Sequence, residues 1–324
     1  MIAFGSSISG AEAYRRYAEP GVRLAAEADS QVYAFASVEP VGRTYNLILE
    51  AAAARDDLEA LVLVHPHTEI VDPDFCPKVR RALSDPGVGL VGSAGATGVR
   101  SIAWWEGRVI SAPVIHRYEE HGGGELPAVS WAERNPPPAP VDTLDGQLLV
   151  LSPWVVRNVR FDEGLLLGYG FDLDFSLQVR AAGRRLIVED LRVVHHRSLE
   201  LVSDLEVWVQ AHMRVAEKWS RALGDEDDDD AAWKPRARIA EARREAARAA
   251  AVSRVLILDA RVLELERSLE EKLHSPSWRL TAPLRALNRL RREAARQRDG
   301  DRVGEPANGD GHSSVRRHPG RDWR

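Results

Sequence analysis

Three short stretches of this 324-residue chain concentrate side chains that can move protons or bind cations. They are His65-Pro66-His67-Thr68-Glu69, the glycine-flanked run Gly168-Tyr169-Gly170-Phe171-Asp172-Leu173-Asp174, and the pair His195-His196. An imidazole can exchange a proton near neutral pH or ligate a metal, and a carboxylate can serve as base or ligand. Gathered at one edge of a sheet, such groups can hold a divalent cation. The cation would neutralise a diphosphate leaving group while an Asp deprotonates an incoming hydroxyl. Each stretch also has a plainer explanation. A strand-end histidine is more often a hydrogen-bonded structural residue, and an Asp at a helix start commonly caps it. Their joint occurrence is what points to a site.

The surrounding elements decide where these residues lie. Phe161-Asp162-Glu163 leads into the glycine-flanked run, and Ser176-Leu177-Gln178-Val179-Arg180 continues it as a helix up to Gly183. Asp172 and Asp174 then sit at a helix start, where free N–H groups and the positive dipole end favour an ionised carboxylate. Leu61-Val62-Leu63-Val64 is an unbroken apolar run that ends abruptly at His65. It is the pattern of a central parallel strand covered on both faces. Ile2 to Phe4, Gln31 to Ala36, Val88 to Gly92 and Arg185 to Val188 also have strand character, as does Val141 to Leu151 around Asp145-Gly146. Helical spacing covers Ala11 to about Ala18, stopped by Pro20-Gly21, then Arg43 to Ala54, Asp74 to Leu83 and Pro153 to Val159. A further helix opens on the capping-box spacing Ser203 to Glu206 and carries Trp208, Val215 and Trp219 on one face. This alternation predicts a doubly wound α/β sheet, in which ligands bind at the carboxyl ends of strands. Gly98 to Pro140 is expected to be irregular, a long connection of the kind that often forms a lid or binding loop.

Composition narrows the classes. A net charge of −5, from 44 basic and 49 acidic residues, argues against nucleic-acid binding by the globular part. One cysteine, Cys76, cannot form an internal disulfide and suits a reducing compartment. The N-terminus lacks a signal-peptide layout, and no apolar run approaches the ~20 residues that span a bilayer. A cytoplasmic protein is expected, with any membrane contact peripheral.

Five segments follow: a globular region 1–222, an acidic linker 223–234 around Asp225 to Asp230, a helical segment 235–274, a basic amphipathic helix 275–298 and a disordered tail 299–324. Val255, Leu258, Val262, Leu265 and Leu269 alternate spacings of three and four, a coiled-coil seam suited to self-association. Trp278, Leu280, Leu284 and Leu287 face one way among five arginines. Residues 277–297 can therefore lie on an anionic membrane surface or pack on the protein's own coil.

With these residues in place, positions 2 to about 219 resemble family-2-type glycosyltransferases of the GT-A fold, in particular the bacterial glycosyltransferase-like branch. Leu63 to Ile70 followed by Asp72-Pro73-Asp74-Phe75 is similar to the family's metal-motif segment. Asp145-Gly146 with Leu148-Leu149-Val150 resembles the strand lining the acceptor site, and Arg43 and Asn46 match the helix after the second strand. Phe161-Asp162-Glu163, then Phe171 to Arg180 and Gly183, is similar to the family's F-D-E and E-D-x-D-x-x-x-R-x-x-x-G pattern. His195 falls where many members carry a C-terminal metal-binding histidine.

The resemblance implies an α/β GT-A domain followed by a helical, coiled-coil-like extension. It implies an inverting transfer from a nucleotide-sugar donor to a glycan or lipid-linked acceptor, with Asp172 as base and Asp174 bracing the same helix start. Arg43, Asn46, His65, Asp145 and Gly146 would serve the donor. His67, Glu69, His195 and His196 would serve a divalent metal, Mn²⁺ or Mg²⁺. The chain departs from the pattern in three places. His67 stands where the family carries a metal-binding Asp, Phe171 replaces the usual Glu before the base, and no D-G-S-type motif follows the second strand. Ser275 to Arg285 resembles a tail found on bacterial surface-polysaccharide glycosyltransferases. Two other readings remain at this stage. One is a catalytically degenerate interaction protein of the same fold; the other is a metallohydrolase built on His65, His67, Asp172 and His195.

Overall fold

The apolar run ending at His65 becomes β3 (Ala60–Val64), buried throughout, inside a seven-stranded mixed sheet of the computed structural model. The structure describes residues 1–219 apart from 39, 101, 103, 105–106, 119–123, 128–132, 166–167 and 197–204; beyond them it describes 255, 258–259, 261–281 and 283. The strands β1 (Ile2–Ile8), β2 (Gln31–Ala36), β5 (Val88–Gly92) and β14 (Arg185–Val188) run in the direction of β3. Between β3 and β5 lies β13 (Leu148–Leu151), antiparallel to both. An edge strand, β11 (Ala139–Val141), pairs antiparallel with β14. The order is therefore β11-β14-β5-β13-β3-β1-β2. One consequence organises the site. The carboxyl ends of five parallel strands and the amino end of β13 share one edge.

Alternation along β3 divides its side chains between two cores. Leu61 and Leu63 pack with Tyr45, Ile48 and Leu49 of α3 (Val41–Ala53) and with Val155 and Val156 of α5 (Pro153–Asn158). Ala60, Val62 and Val64 pack on the other face, with Tyr14, Ala18 and Val22 and with Phe75 and Val79 of α4 (Phe75–Ala82). This is the expected mixed α/β arrangement with helices on both faces.

The first helix departs from expectation. It does not stop at Pro20-Gly21 but runs on, as α1 (Ala11–Ala13), a π-helical stretch (Tyr14–Ala18) and α2 (Glu19–Ala25). The widened turn, in which Glu19 N–H reaches back to the Tyr14 carbonyl, falls just ahead of the proline. Pro20 then occupies the first turn of α2, where a missing N–H costs little. Gly21 is needed for packing: a Cβ there would lie 2.4 Å from the backbone nitrogen of Ile70.

Gly98 to Pro140 also differs from the irregular loop expected. It supplies β7 (Val109–Ser111), β8 (Val114–Tyr118), β9 (Gly124–Pro127), β10 (Glu133–Arg134) and β11. These strands have two to five residues, too few to show a period; β8 and β9 pair with each other, and the remaining pairings reach further along the chain. One small sheet has the order β10-β7-β6-β12, with β6 (Gly95–Thr97) and β12 (Thr143–Leu144). Another has the order β4-β15-β8-β9, with β4 (Thr68–Ile70) and β15 (Val193–His195). Pro140 is accommodated because β11 is an edge strand.

Late in the globular part, α7 (Leu205–Lys218) buries Trp208, Val209, Ala211 and Val215 against Leu165 and against Leu173 and Leu177 of α6 (Phe171–Ala181). Ser203, Trp105, Gly122-Gly123, the acidic run, all of 235–254 and everything beyond 283 lie outside the described residues. The chain divides into two compact units, Met1–Glu264 and Leu265–Arg324. Among the described residues no helix is long and apolar enough to cross a membrane.

Replacing Gly21 by Ala tests the close approach to Ile70. The variant should lose about 2 kcal/mol in urea unfolding at an unchanged slope, because backbone must move to admit the methyl group. Gly10→Ala, with nothing within 4 Å of the added carbon, should be near neutral.

Candidate active site

The helix start at α6 is set by Gly170, whose φ of 79° is left-handed and whose missing side chain admits Ile102 and Val215. This turn delivers Asp172 to the amino end of β13. One Asp172 oxygen accepts from Gly146 N–H at 3.0 Å and the other from Leu173 N–H at 2.9 Å. Asp145 lies beside it, accepting from Gln147 N–H at 2.8 Å and from the Trp104 indole at 2.8 Å. The ionised Asp172 expected from the helix dipole is not what results. Burial first, and the Asp145 charge second, push its carboxyl up to about 7, against the backbone N–H groups of Leu173, Gly146 and Asp172 itself, which pull it down. Burial also raises Asp145. The pair titrates as a unit and gives up its protons in separate steps. Tyr45, buried and stacked on Phe171 at 5.6 Å, has its hydroxyl raised by burial and by Asp172.

Asp174 is two residues away and does something else. It is fully buried, and it accepts from Trp219 Nε1 at 2.7 Å, Lys218 Nζ at 2.7 Å and Gln178 Nε2 at 2.8 Å. Every oxygen is engaged in the core, so Asp174 positions the helix start and is not placed to react. Lys218 also reaches Asp162 at 2.5 Å. The neighbours of Asp162 complete a knot. Phe161 stacks on Phe175 of α6 at 4.0 Å, and Glu163 accepts from Asn46 Nδ2 at 2.9 Å. Asn46, expected at the donor, spends its amide here: Nδ2 also donates to the Phe161 carbonyl and Oδ1 accepts from Phe161 N–H. Arg43 is exposed at the start of α3, just beyond the carboxyl end of β2.

The histidines gather at the same edge. His65 N–H donates to the Gln147 carbonyl, which ties the end of β3 to the turn that holds Asp145. The His65 ring lies 5.6 Å from that of His67 and 6.0 Å from that of His195, between centroids. The approach of His195 comes from β15 pairing antiparallel with β4, opposite Thr68. His196 is buried, stacked on Tyr17 at 4.0 Å, and its Nε2 lies 2.6 Å from Glu69 Oε2. Two of the four expected metal ligands are thus bound to each other. Among the described residues no group of three His, Cys, Asp or Glu is placed to hold a metal ion. The residues present do not fit the expected Mn²⁺ or Mg²⁺, nor the zinc-type grouping of His65, His67, Asp172 and His195.

Sequence reasoning missed Trp104, Gln147, Tyr17 and Lys218. Trp104 lies 41 positions from Asp145 and Lys218 lies 56 from Asp162, so no local pattern joins them. Tyr17 lies on the π-helical stretch, a form frequent at functional sites, which the sequence does not announce.

No family model matches the chain. It is 27% identical over 233 residues to the streptomycin biosynthesis protein StrF of Streptomyces griseus, covering 69% of this chain and 75% of that protein. Among solved structures it is similar to the mannosyltransferase PcManGT from Pyrobaculum calidifontis in complex with GDP-Man and Mn²⁺. That likeness has a TM-score of 0.42 and 12% identity, over 88% of this chain and 83% of the other. It is also similar to a glycosyltransferase involved in glycosylation of the major capsid of PBCV-1. Here the TM-score is 0.29 at 11% identity, over 58% of this chain and 81% of the other. Scores below 0.5 leave the reading of function to the residues.

Two variants check this geometry. An unfolded Asp titrates near 3.9, so a folded value of about 7 gives stability that is present below about pH 4 and lost as pH rises through about 7. Asp172→Asn cannot ionise, and its melting temperature relative to wild type should therefore climb between about pH 4 and 7 and level off above. Lys218→Met leaves the buried Asp174 without its cation and should cost about 2 kcal/mol, reduced from a fully buried pair because Lys218 is partly exposed.

Proposed function

We propose that this chain is a glycosyltransferase of the GT-A type that moves a sugar from a nucleotide-sugar donor to an acceptor hydroxyl, inverting the anomeric centre. The observation that carries the reading is Asp172: a half-buried carboxyl at a helix start and strand end, held by two backbone N–H groups and raised to about 7. A base with that affinity is matched to taking a proton near neutral pH. The order of motifs resembling family-2-type enzymes supports the sugar-transfer reading. So does the similarity to a protein of streptomycin biosynthesis, which favours a biosynthetic role.

In the reaction the acceptor hydroxyl gives its proton to Asp172 and its oxygen bonds to the anomeric carbon. The bond from that carbon to the nucleoside diphosphate breaks on the opposite face, which inverts the configuration. Asp145 keeps the base protonatable, and the knot of Phe161, Asp162, Asp174 and Lys218 fixes its position. Arg43 and the imidazoles of His65, His67 and His195 are the groups we assign to the departing diphosphate, as N–H donors. No step is routed through a metal. The tail resemblance favours a cell-envelope or polysaccharide acceptor, lipid-linked where residues 275–298 would meet the inner membrane face of a cytoplasmic enzyme.

Purified protein offered UDP-, GDP- and dTDP-sugars at pH 8 should release nucleoside diphosphate from at least one. Asp172→Asn should lower that rate about 10³-fold with donor binding retained, the usual loss for a general base. Wild-type rate should rise with pH through about 7. Equal rates for the two proteins would remove Asp172 from the base role.

A further inference from the structure

We propose that the chain pairs with a second copy of itself through a parallel, in-register, two-stranded coiled coil running from Val255 to Leu269. Among the described residues of this segment apolar side chains stand in solvent: Leu258 is 63% exposed, Val262 51%, Leu265 53% and Leu269 57%. Leaving four such side chains exposed along one stripe is costly, and a matching stripe would remove them from water.

The identity of the occupant comes from the register. With Val255 at position a of the heptad, the seam reads Val255 and Val262 at a, Leu258 and Leu265 at d, and Leu269 at the next a. A β-branched residue at a with Leu at d favours two parallel strands over larger bundles. The flanking positions choose the orientation. Position g holds Arg254 and Arg261, and position e holds Asp259 and Glu266. In a parallel dimer each g residue faces the e residue five positions on in the other copy, which pairs Arg261 with Glu266. In an antiparallel dimer g faces g and e faces e, so arginine would meet arginine and acid would meet acid. The charges complement a second copy in one orientation only.

The seam is also short. Position d of the third heptad is Lys272, and Ser275-Pro276 ends the repeat, so the apolar seam spans about two heptads. Such a coil makes a concentration-dependent dimer. Leu273, 42% exposed at position e, widens the apolar stripe near its end.

Sedimentation equilibrium on the full chain should give a monomer–dimer equilibrium. Arg261→Glu should weaken it about tenfold, because two attractive pairs per dimer become repulsive. Adding Glu266→Arg should bring it back to within about threefold of wild type, whereas an antiparallel dimer would gain nothing from the double exchange. Leu265→Cys should form a disulfide between copies on mild oxidation, since an in-register d position faces itself; Cys76, buried, does not compete. These seam residues are exposed, so each variant should keep the wild-type circular dichroism. A chain that stays monomeric up to its solubility limit overturns the proposal. So does a dimer indifferent to Arg261→Glu, or one in which Leu265→Cys does not cross-link.

Discussion

Two carboxyl groups brought together away from water cannot both carry charge at low cost, and Asp145 with Asp172 is such a pair. Asp145 closes the turn into β13, and Asp172 opens α6. They meet because β13 runs against its neighbours, so that its amino end shares an edge with the carboxyl ends of β3 and β5. A parallel strand at that place in the sheet would put Asp145 at the opposite edge. The polarity of one strand thus underlies the proton affinity of the proposed base.

Holding two acids together needs support, and the fold supplies it from the far side of α6. Lys218 and Trp219 at the end of α7 grip Asp174, and Lys218 also grips Asp162. Asn46 fastens α3 to the same loop through Phe161 and Glu163. Phe161-Asp162-Glu163 therefore ties three helices to the base-bearing turn, each through a different side chain. Asp172 and Asp174 look alike in sequence. One faces the sheet edge, the other the core, and that difference separates the proposed base from a positioning group.

Much of the fold was legible because its signals are local. The buried run 61–64, the helical period of 43–54 and the glycine-bounded stretch 168–183 each state their structure within a dozen residues. The first helix was legible in kind but not in length, since Pro20-Gly21 carries an ordinary stop signal and only the approach of Ile70 explains the glycine. The strands between Val109 and Val141 were not legible, being too short to show alternation and, apart from the local pairing of β8 with β9, dependent on partners further along the chain. At the site, the edge positions of His65, Asp145 and Asp172 were legible from motif order. The bond between His196 and Glu69, the Trp104 donor to Asp145 and the employment of Asn46 in the core were not. Each depends on contacts spanning 41 to 127 positions.

The protonation of Asp172, on which its role as base depends, can be read directly. Carbon-13 NMR of aspartate-labelled protein, with Asp172→Asn to assign the resonance, would follow its carboxyl through pH. A midpoint near 7 in wild type is expected, falling when Asp145→Asn removes the neighbouring charge. An Asp172 carboxyl that titrates in the ordinary range near 4, unmoved by that change, would contradict it.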